Sequence, residues 1–290
     1  MGYGNGNSAE ISHMCGRYTL VSSVRVVEEH FQLPEGTGLP AFEGINAGPG
    51  SVMPVWHSAD PTRLVAMNFG FESQWTGTGK RLLFNARSEG DHNPDDDPRY
   101  RGALGIFTKP SFRSAIRTRR CLVAADAFIE GPKTERLSRP YCLFPTDPPG
   151  IFAMAALWQE YPPPAGSNQT RAGFAILTTS ACGIVAEIGH HRAPVVLQPA
   201  FYRDWLNPET SVQQLSEILY SGDQREWNAY PIDSRVKNPS LHGPELMRAM
   251  GPTLHPMEQT RIEASWIVKG FGMNKSLKSG GHGIQSTLFD

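Results

Sequence analysis

Apolar residues in this chain come in short bursts, at 17–21, 52–56, 63–69, 121–123, 151–157, 173–179 and 194–197, many of them flanked by Gly, Pro or Asp. Runs this short, several alternating with polar residues, read as strands. Gly 29 and Pro 24 in 290 residues supply many turns, and no repeat period orders them. Helical spacing is scarcer. Ser22 and Ser23 precede Val24, Val27 and Phe31; Pro199 opens 200–206; Val212, Leu215 and Leu219 line one face before Gly222. Strands fill the first two thirds and helices cluster late, which predicts an α+β fold built on a mainly antiparallel, partly closed barrel-like sheet with flanking helices. Regular βαβ winding is not expected, and neither G-x-G-x-x-G nor a Walker loop points to a nucleotide fold. Two stretches read as unstructured: the acidic 90–98 (GDHNPDDDP) and the linker-like 272–284 (GMNKSLKSGGHGI).

Several function classes fall away on composition. No run of about 18 apolar residues exists to form a transmembrane helix, and the first thirteen residues, MGYGNGNSAEISH, lack the basic start and apolar stretch of a secretory signal. With 27 basic against 28 acidic residues the chain is no polycation, so a nucleic-acid partner requires a local patch. Cys15, Cys121, Cys142 and Cys182 stand far apart, without metal-ligand spacing or a dense disulfide framework. A reducing, cytoplasmic setting follows as the expectation, with no metal and no cofactor.

One such patch is visible. In 109–120 (KPSFRSAIRTRR) Lys109, Arg113, Arg117, Arg119 and Arg120 occur without an acidic residue. Five positive charges in so short a span can neutralise phosphates, and Phe112 and Phe128 could stack on unpaired bases. The same composition also suits a solvated face beside the acidic loop. A second set consists of polar residues inside strand-like or tight segments: Asn85, Arg87 and Glu89 in FNARSEG, Glu130 in ADAFIEG, and His190, His191 and Arg192 in GHHRAPVVL. A carboxylate and an imidazole brought together make the usual acid/base pair. Spacing alone does not bring Glu130 to His190, and each taken singly also fits a structural polar group.

Cys15 directly follows Met14. If translation starts at Met14, or a leader 1–13 is removed, and Met14 is excised, Cys15 becomes N-terminal and carries both a thiol and an α-amine. That amine, with a reference pKa of about 7.7–8.0, is partly neutral at physiological pH. Thiol and amine two carbons apart can trap an aldehyde, first as an imine and then as a five-membered thiazolidine. An internal Cys15 has no such amine and reads as a small buried hydrophobe.

In order along the chain, MCGRY at 14–18, INAGP at 45–49, FNARSE at 84–89, KPSFRSAIRTRRCLVAADAFIEG at 109–131, AALW at 155–158, ILTTSA at 176–181, HHRAPVVL at 190–197 and SRVKNP at 234–239 resemble the SRAP family, named for an SOS-response-associated peptidase. The resemblance runs from Met14 to about 250. It implies a single domain over 14–271 and covalent crosslinking to abasic sites in single-stranded DNA without a cofactor, together with autoproteolytic leader removal and a lyase-like activity. It also assigns roles. Cys15 is the covalent residue, Asn85 orients the N-terminus or the opened sugar, Arg87 holds a phosphate, Glu130 relays protons at the amine and His190 protonates the sugar ring oxygen.

The chain also departs from that pattern. Ala124 to Gly131 stand where the family reads Pro-Ala-Asp-Gly-Phe-Tyr-Glu-Trp; Ala127 then requires a negative φ, and Gly131 removes an aromatic surface. Phe69-Gly70-Phe71 replaces Trp-Gly-Leu, Ala193 replaces a larger residue, and an extra Gly189 before His190 leaves His191 as the alternative histidine. Two other readings stay open: an N-terminal-nucleophile cysteine hydrolase or peptidase, for which the basic run has no use, and a non-covalent single-strand-binding paralogue. The last residues, Gln285 to Asp290, resemble the Gln-x-x-Leu-Phe peptides that dock on bacterial sliding clamps, with Leu288 and Phe289 as apolar anchors and Gln285 setting register. A flexible linker of roughly 13 residues reaches about 20 Å. The expected protein is a nucleoid-associated monomer that does not touch the membrane.

Overall fold

The computed structural model describes residues 16–36, 38–39, 42, 44–73, 81–147, 150–161 and 171–257, with only the backbone of Ser73 and Arg81. The leader 1–13, Met14, Cys15, the 272–284 linker and the clamp-like Gln285, Leu288 and Phe289 lie outside the described residues.

In chain order, β1 (Tyr18–Thr19) leads into α1 (Val24–Phe31), then β2 (Val52–His57), β3 (Asp60–Phe69), β4 (Phe71–Ser73), β5 (Arg81–Leu83) and β6 (Asn85–Arg87). The one-turn α2 (Ala115–Thr118) precedes β7 (Arg120–Ala125), β8 (Ala127–Glu130), β9 (Tyr141–Pro145), β10 (Phe152–Tyr161) and β11 (Arg171–Ser180). The last third holds α3 (Gly183–Glu187), β12 (Arg192–Pro194), β13 (Val196–Leu197), α4 (Tyr202–Leu206), α5 (Val212–Tyr220) and β14 (Trp227–Pro231). Two helices start where the sequence places them. The Ser23 hydroxyl caps α1 by accepting from the Val26 N–H, and α5 opens on a capping box of Ser211 and Gln214.

Five strands, β3–β2–β7–β10–β11, close into a ring as β11 returns to β3. Every pair in the ring is antiparallel except β3 with β11, and closure removes the free edges that an open sheet would expose. At that parallel seam Phe69 stacks on Phe174 with ring centroids 5.0 Å apart. Gly173 is required beside it, because a Cβ there would fall 2.0 Å from the Gly70 carbonyl oxygen. The residues of β7 are buried throughout, which its run CLVAA anticipates: a strand covered on both faces has no solvent side to make polar. Outside the ring, Phe31 of α1 packs between Trp56 of β2 and Tyr202 of α4, at 5.0 and 5.6 Å.

A second sheet of order β1–β8–β9–β14 abuts the barrel. One length of chain serves both, since β7 and β8 are separated only by Asp126. The buried Asp126 carboxylate accepts from the Val21 N–H at 2.7 Å and from the Ser22 N–H and hydroxyl at 2.8 Å, locking the β1–α1 connection to this joint. Along β8 the side chains divide by alternation. Ala127 and Ile129 join an apolar cluster with Phe144, Tyr230 and Val236, whereas Phe128 turns to the barrel cluster and Trp227. Glu130 follows Phe128 on that side. Positive φ among the described non-glycine residues occurs at Gln32, Asp96 and Arg136, so Ala127 sits in ordinary strand backbone.

The reading of 90–98 as unstructured needs correction. The stretch has neither helix nor strand, yet Asn93 is buried and donates to the Ser180 hydroxyl at 2.8 Å and to the Asp97 carbonyl at 3.0 Å. Polar loop composition conceals side chains that find buried partners.

Candidate active site

Strand register builds the site. Tyr18 pairs with Phe128 and Thr19 with Ala127, and the Ile129 N–H donates to the Arg17 carbonyl at 2.9 Å. Continuing that antiparallel register places Gly16 opposite Glu130. Gly16, Arg17, Glu130 and His190 line one cleft of about 670 Å³, with Arg136 and Lys237 on its wall. Cys15 is bonded to Gly16, one Cα step of about 3.8 Å from a cleft-lining residue.

His190 arrives from the turn after α3, whose Ile184 and Val185, with Ile188 just beyond them, are anchored in the barrel core. Gly189 makes that turn at φ +81°, a left-handed conformation that favours glycine, and its carbonyl accepts from the Lys133 N–H at 2.9 Å. His190 Nδ1 lies 2.8 Å from the Arg192 carbonyl oxygen. A carbonyl oxygen can only accept, so Nδ1 carries a hydrogen and Nε2 is the nitrogen turned toward Glu130. That Nε2 stands 3.6 Å from Glu130 Oε2, and both side chains are buried. The separation is an ion-pair distance, longer than a hydrogen bond. A carboxylate and an imidazole lining one cleft are the residue types that pass protons to and from a group entering it. His191 does not line the cleft; burial, with the neighbouring His190, lowers its pKa to about 4.

Gly131 ends β8, and a Cβ there would lie 1.8 Å from the Arg136 carbonyl oxygen and 2.8 Å from that of Arg139. The 132–139 loop therefore folds back into the space a side chain at 131 would take, and it contributes residues 134–138 to the cleft wall. Lys237 Nζ donates to the Ser138 hydroxyl at 2.8 Å and Arg17 Nη2 to the Lys237 carbonyl at 3.1 Å. Burial lowers the Arg17 pKa. Sequence reasoning missed Arg17, Arg136 and Lys237 because it looked for clustered charge; Arg17 and Lys237 stood in the motifs MCGRY and SRVKNP all along.

The other expected site residues are carried by other elements. Asn85 and Arg87 sit on β6, which runs parallel to β11 with Asn85 opposite Ile176 and Arg87 opposite Thr178. Neither is on the described cleft wall. Arg87 and Arg192 both donate to Asp96 Oδ1 at 2.9 Å, and Arg192 also donates to Glu89 Oε2 at 2.9 Å. Burial alone would raise the Glu89 pKa, but the hydrogen bond and charge of Arg192, with the Thr179 hydroxyl, hold it at about 2. Of the basic run, Arg113 and Arg117 are exposed and Lys109 pairs with Asp91 at 2.7 Å. Arg119 is half-buried and donates to the Ser114 hydroxyl at 3.3 Å. Arg120 is a correction. It is fully buried, and four of its five N–H donors are committed to the carbonyls of Ile116, Arg117, Trp205 and Asn207, so it presents no face to a phosphate in solvent.

Comparison with known proteins agrees with this architecture. Residues 14–239 match the family described as SOS response associated peptidase (SRAP). The abasic site processing protein YoqW of Bacillus subtilis is 28% identical over 244 residues, covering 81% of this chain and all of that protein. YoaM of the same organism, also named an abasic site processing protein, is 26% identical over 249 residues, covering 81% and 98%. A crystal structure from Bacteroides thetaiotaomicron superposes with a TM-score of 0.64 at 20% identity, covering 82% of this chain and 100% of that one. A phage-related protein of Bordetella bronchiseptica gives 0.54 at 26% identity, covering 75% and 94%. With the family match spanning most of its length, the chain belongs to the SOS response associated peptidase family.

Proposed function

We propose that this protein captures abasic sites in single-stranded DNA covalently, with Cys15 as its N-terminal residue. One observation carries the reading: Gly16, which follows Cys15 in the chain, lines the same cleft as Glu130 and His190, whose buried side chains lie 3.6 Å apart. Relatives named abasic site processing proteins support the substrate.

An abasic sugar is mostly a closed hemiacetal. With a proton on Nε2, His190 gives it to the ring oxygen while Glu130 takes the proton of the hemiacetal hydroxyl, so the aldehyde opens and the pair keeps one proton for the next step. The neutral α-amine of Cys15 adds to the aldehyde carbon, and the Glu130–His190 pair protonates the departing hydroxyl, which leaves as water to give an imine. The Cys15 sulfur then adds to the imine carbon as its proton moves to nitrogen, closing a thiazolidine. One water is lost in all. Arg17, Arg136 and Lys237 face the cleft as cations for the flanking phosphates, a lining for which a small-amide hydrolase has no need. Asn85 orients the amine or the opened sugar, and Arg87 holds a phosphate. Because only a free amine can form the imine, the active chain begins at Cys15, through a start at Met14 or removal of residues 1–13, followed in either case by excision of Met14.

A denaturing gel tests this. Protein beginning at Cys15 should give a shifted band with abasic but not intact single strands, and its mass should equal protein plus DNA minus one water. Cys15→Ala should give none. An adduct that survives Cys15→Ala, or full activity in protein retaining residues 1–13, would sink the reading.

A further inference from the structure

We propose that Gly131, Lys133 and Gly189 are positioning residues for Glu130 and His190: a backbone bridge from Lys133 to Gly189, made possible by two glycines at which the chain departs from its family's pattern, sets how far apart the carboxylate and the imidazole stand. The proposal rests on the covalent-capture reading above.

The two departures meet in space. Gly131 directly follows Glu130, Gly189 directly precedes His190, and the Lys133 N–H donates to the Gly189 carbonyl at 2.9 Å. Glu130 and His190 are thereby tied together through Gly131, Pro132, Lys133, one hydrogen bond and Gly189. So short a tether leaves little slack. Pro132 stiffens it with its fixed φ and lies against the turn, since a Cβ on Gly189 would stand 3.6 Å from Pro132 Cβ. Gly189 has that room but holds φ +81°, a conformation a side chain would strain.

Gly131 serves the other end. A Cβ there would lie 1.8 Å from the Arg136 carbonyl oxygen and 2.8 Å from that of Arg139, so any side chain would push the 132–139 loop off the end of β8. The loop is fixed in that place by several contacts. Leu137 packs on the cluster of Phe144, Tyr230 and Val236, the Ser138 hydroxyl accepts from Lys237 Nζ at 2.8 Å, and the Arg136 N–H donates to the Pro132 carbonyl at 2.6 Å. These contacts hold Arg136 at φ 53°, a left-handed conformation that costs energy for a non-glycine residue. His190 is tied independently on its other sides: its N–H donates to the Val185 carbonyl at 3.1 Å and its Nδ1 to the Arg192 carbonyl at 2.8 Å. Held at its backbone, its ring and the carbonyl before it, the imidazole has one place to stand, with Nε2 3.6 Å from Glu130 Oε2.

Substitutions at Lys133 separate the bridge from the charge. Lys133→Ala removes the ammonium and keeps the backbone N–H; Lys133→Pro removes both. In protein beginning at Cys15 and carrying isotopically ring-labelled histidine, the His190 ring signals, assigned by their loss in His190→Ala, should move in Lys133→Pro and stay in place in Lys133→Ala. Rates of adduct formation across a range of abasic-strand concentrations should split the same way. Lys133→Ala should keep the wild-type maximal rate constant. Lys133→Pro should lower it by about tenfold or more, since a displacement of roughly 1 Å can cost about 10² in rate, at the same half-saturating concentration as Lys133→Ala. Gly131→Ala keeps the Lys133 N–H but displaces the loop, so it should reproduce both effects and guards against a proline that simply unfolds the protein. Unmoved His190 signals in Lys133→Pro and Gly131→Ala overturn the proposal, as does a maximal rate that Lys133→Pro and Lys133→Ala share. Moved signals with no adduct from any protein, wild type included, would instead reject the crosslinking reading and keep the bridge.

Discussion

Two buried carboxylate–base pairs draw their basic members, His190 and Arg192, from positions two apart on the chain, and they are built for opposite ends. Glu89 meets Arg192 at 2.9 Å, fully enclosed, with its carboxyl held at about 2. Glu130 meets His190 at 3.6 Å, equally enclosed. Burial is nearly the same; the partner differs. A guanidinium does not release its proton in a protein, so the first pair is a fixed charge contact. An imidazole gives and takes a proton near neutral pH, so the second pair is able to do chemistry. They are also joined in order, since the Arg192 carbonyl fixes the hydrogen on His190 Nδ1. The static pair positions the reactive one.

If that division is right, the reactive pair should be dispensable for folding and expensive for rate. Glu130→Gln and His190→Ala should each slow adduct formation by about 10²–10⁴, the usual contribution of an acid/base group, while thermal midpoints move little. Time courses on denaturing gels beside melting curves would measure both. A Glu130→Gln protein that unfolds early but reacts at the wild-type rate would erase the distinction.

Arg192→Ala should do the reverse, costing about 3–5 kcal/mol because Glu89 is left buried without its partner. Urea unfolding reads this directly. The same pair predicts a pH dependence with a definite sign. Glu89 is held at about 2 against an ordinary 4.5, so the folded state binds fewer protons than the unfolded chain between those values. Its stabilisation, up to about 3 kcal/mol, is complete above pH 4.5 and is lost as the pH falls toward 2. Arg192→Ala should flatten that limb of the pH profile.

Much of this was legible before any coordinates. Short alternating runs gave the strands of the barrel, Ser23 gave the start of α1, and the ordered motifs brought Glu130 and His190 into consideration. What spacing could not give was the closure. The parallel seam of β3 with β11 joins residues about a hundred positions apart, and no local pattern records it. The second sheet was missed for a related reason: β8 continues β7 across a single residue, so AADAFIEG reads as one segment although it serves two sheets. Arg120 failed for yet another reason. A cluster of charge in sequence says nothing of which member turns inward, and the carbonyls left over at the ends of α2 and α4 recruited this one.

The contrast between committed and free cations extends through 109–120 and gives the smallest effect. Arg113 and Arg117 are exposed, Lys109 is paired with Asp91, and Arg120 is spent on four carbonyls. None of the five lines the cleft, so any contact they make is to phosphates away from the reacting sugar. Arg113→Ala and Arg117→Ala should each weaken binding to all single strands alike and reduce the slope of log affinity against log salt by about 0.7, the value for one phosphate contact on a single strand. Lys109→Ala should change the slope less, because Asp91 already balances it. Arg120→Ala should lower stability and leave the slope alone, because a guanidinium without access to solvent releases no counterion from DNA. Anisotropy titrations at several salt concentrations separate these outcomes; slopes unchanged in both exposed variants would make the run a solvated face.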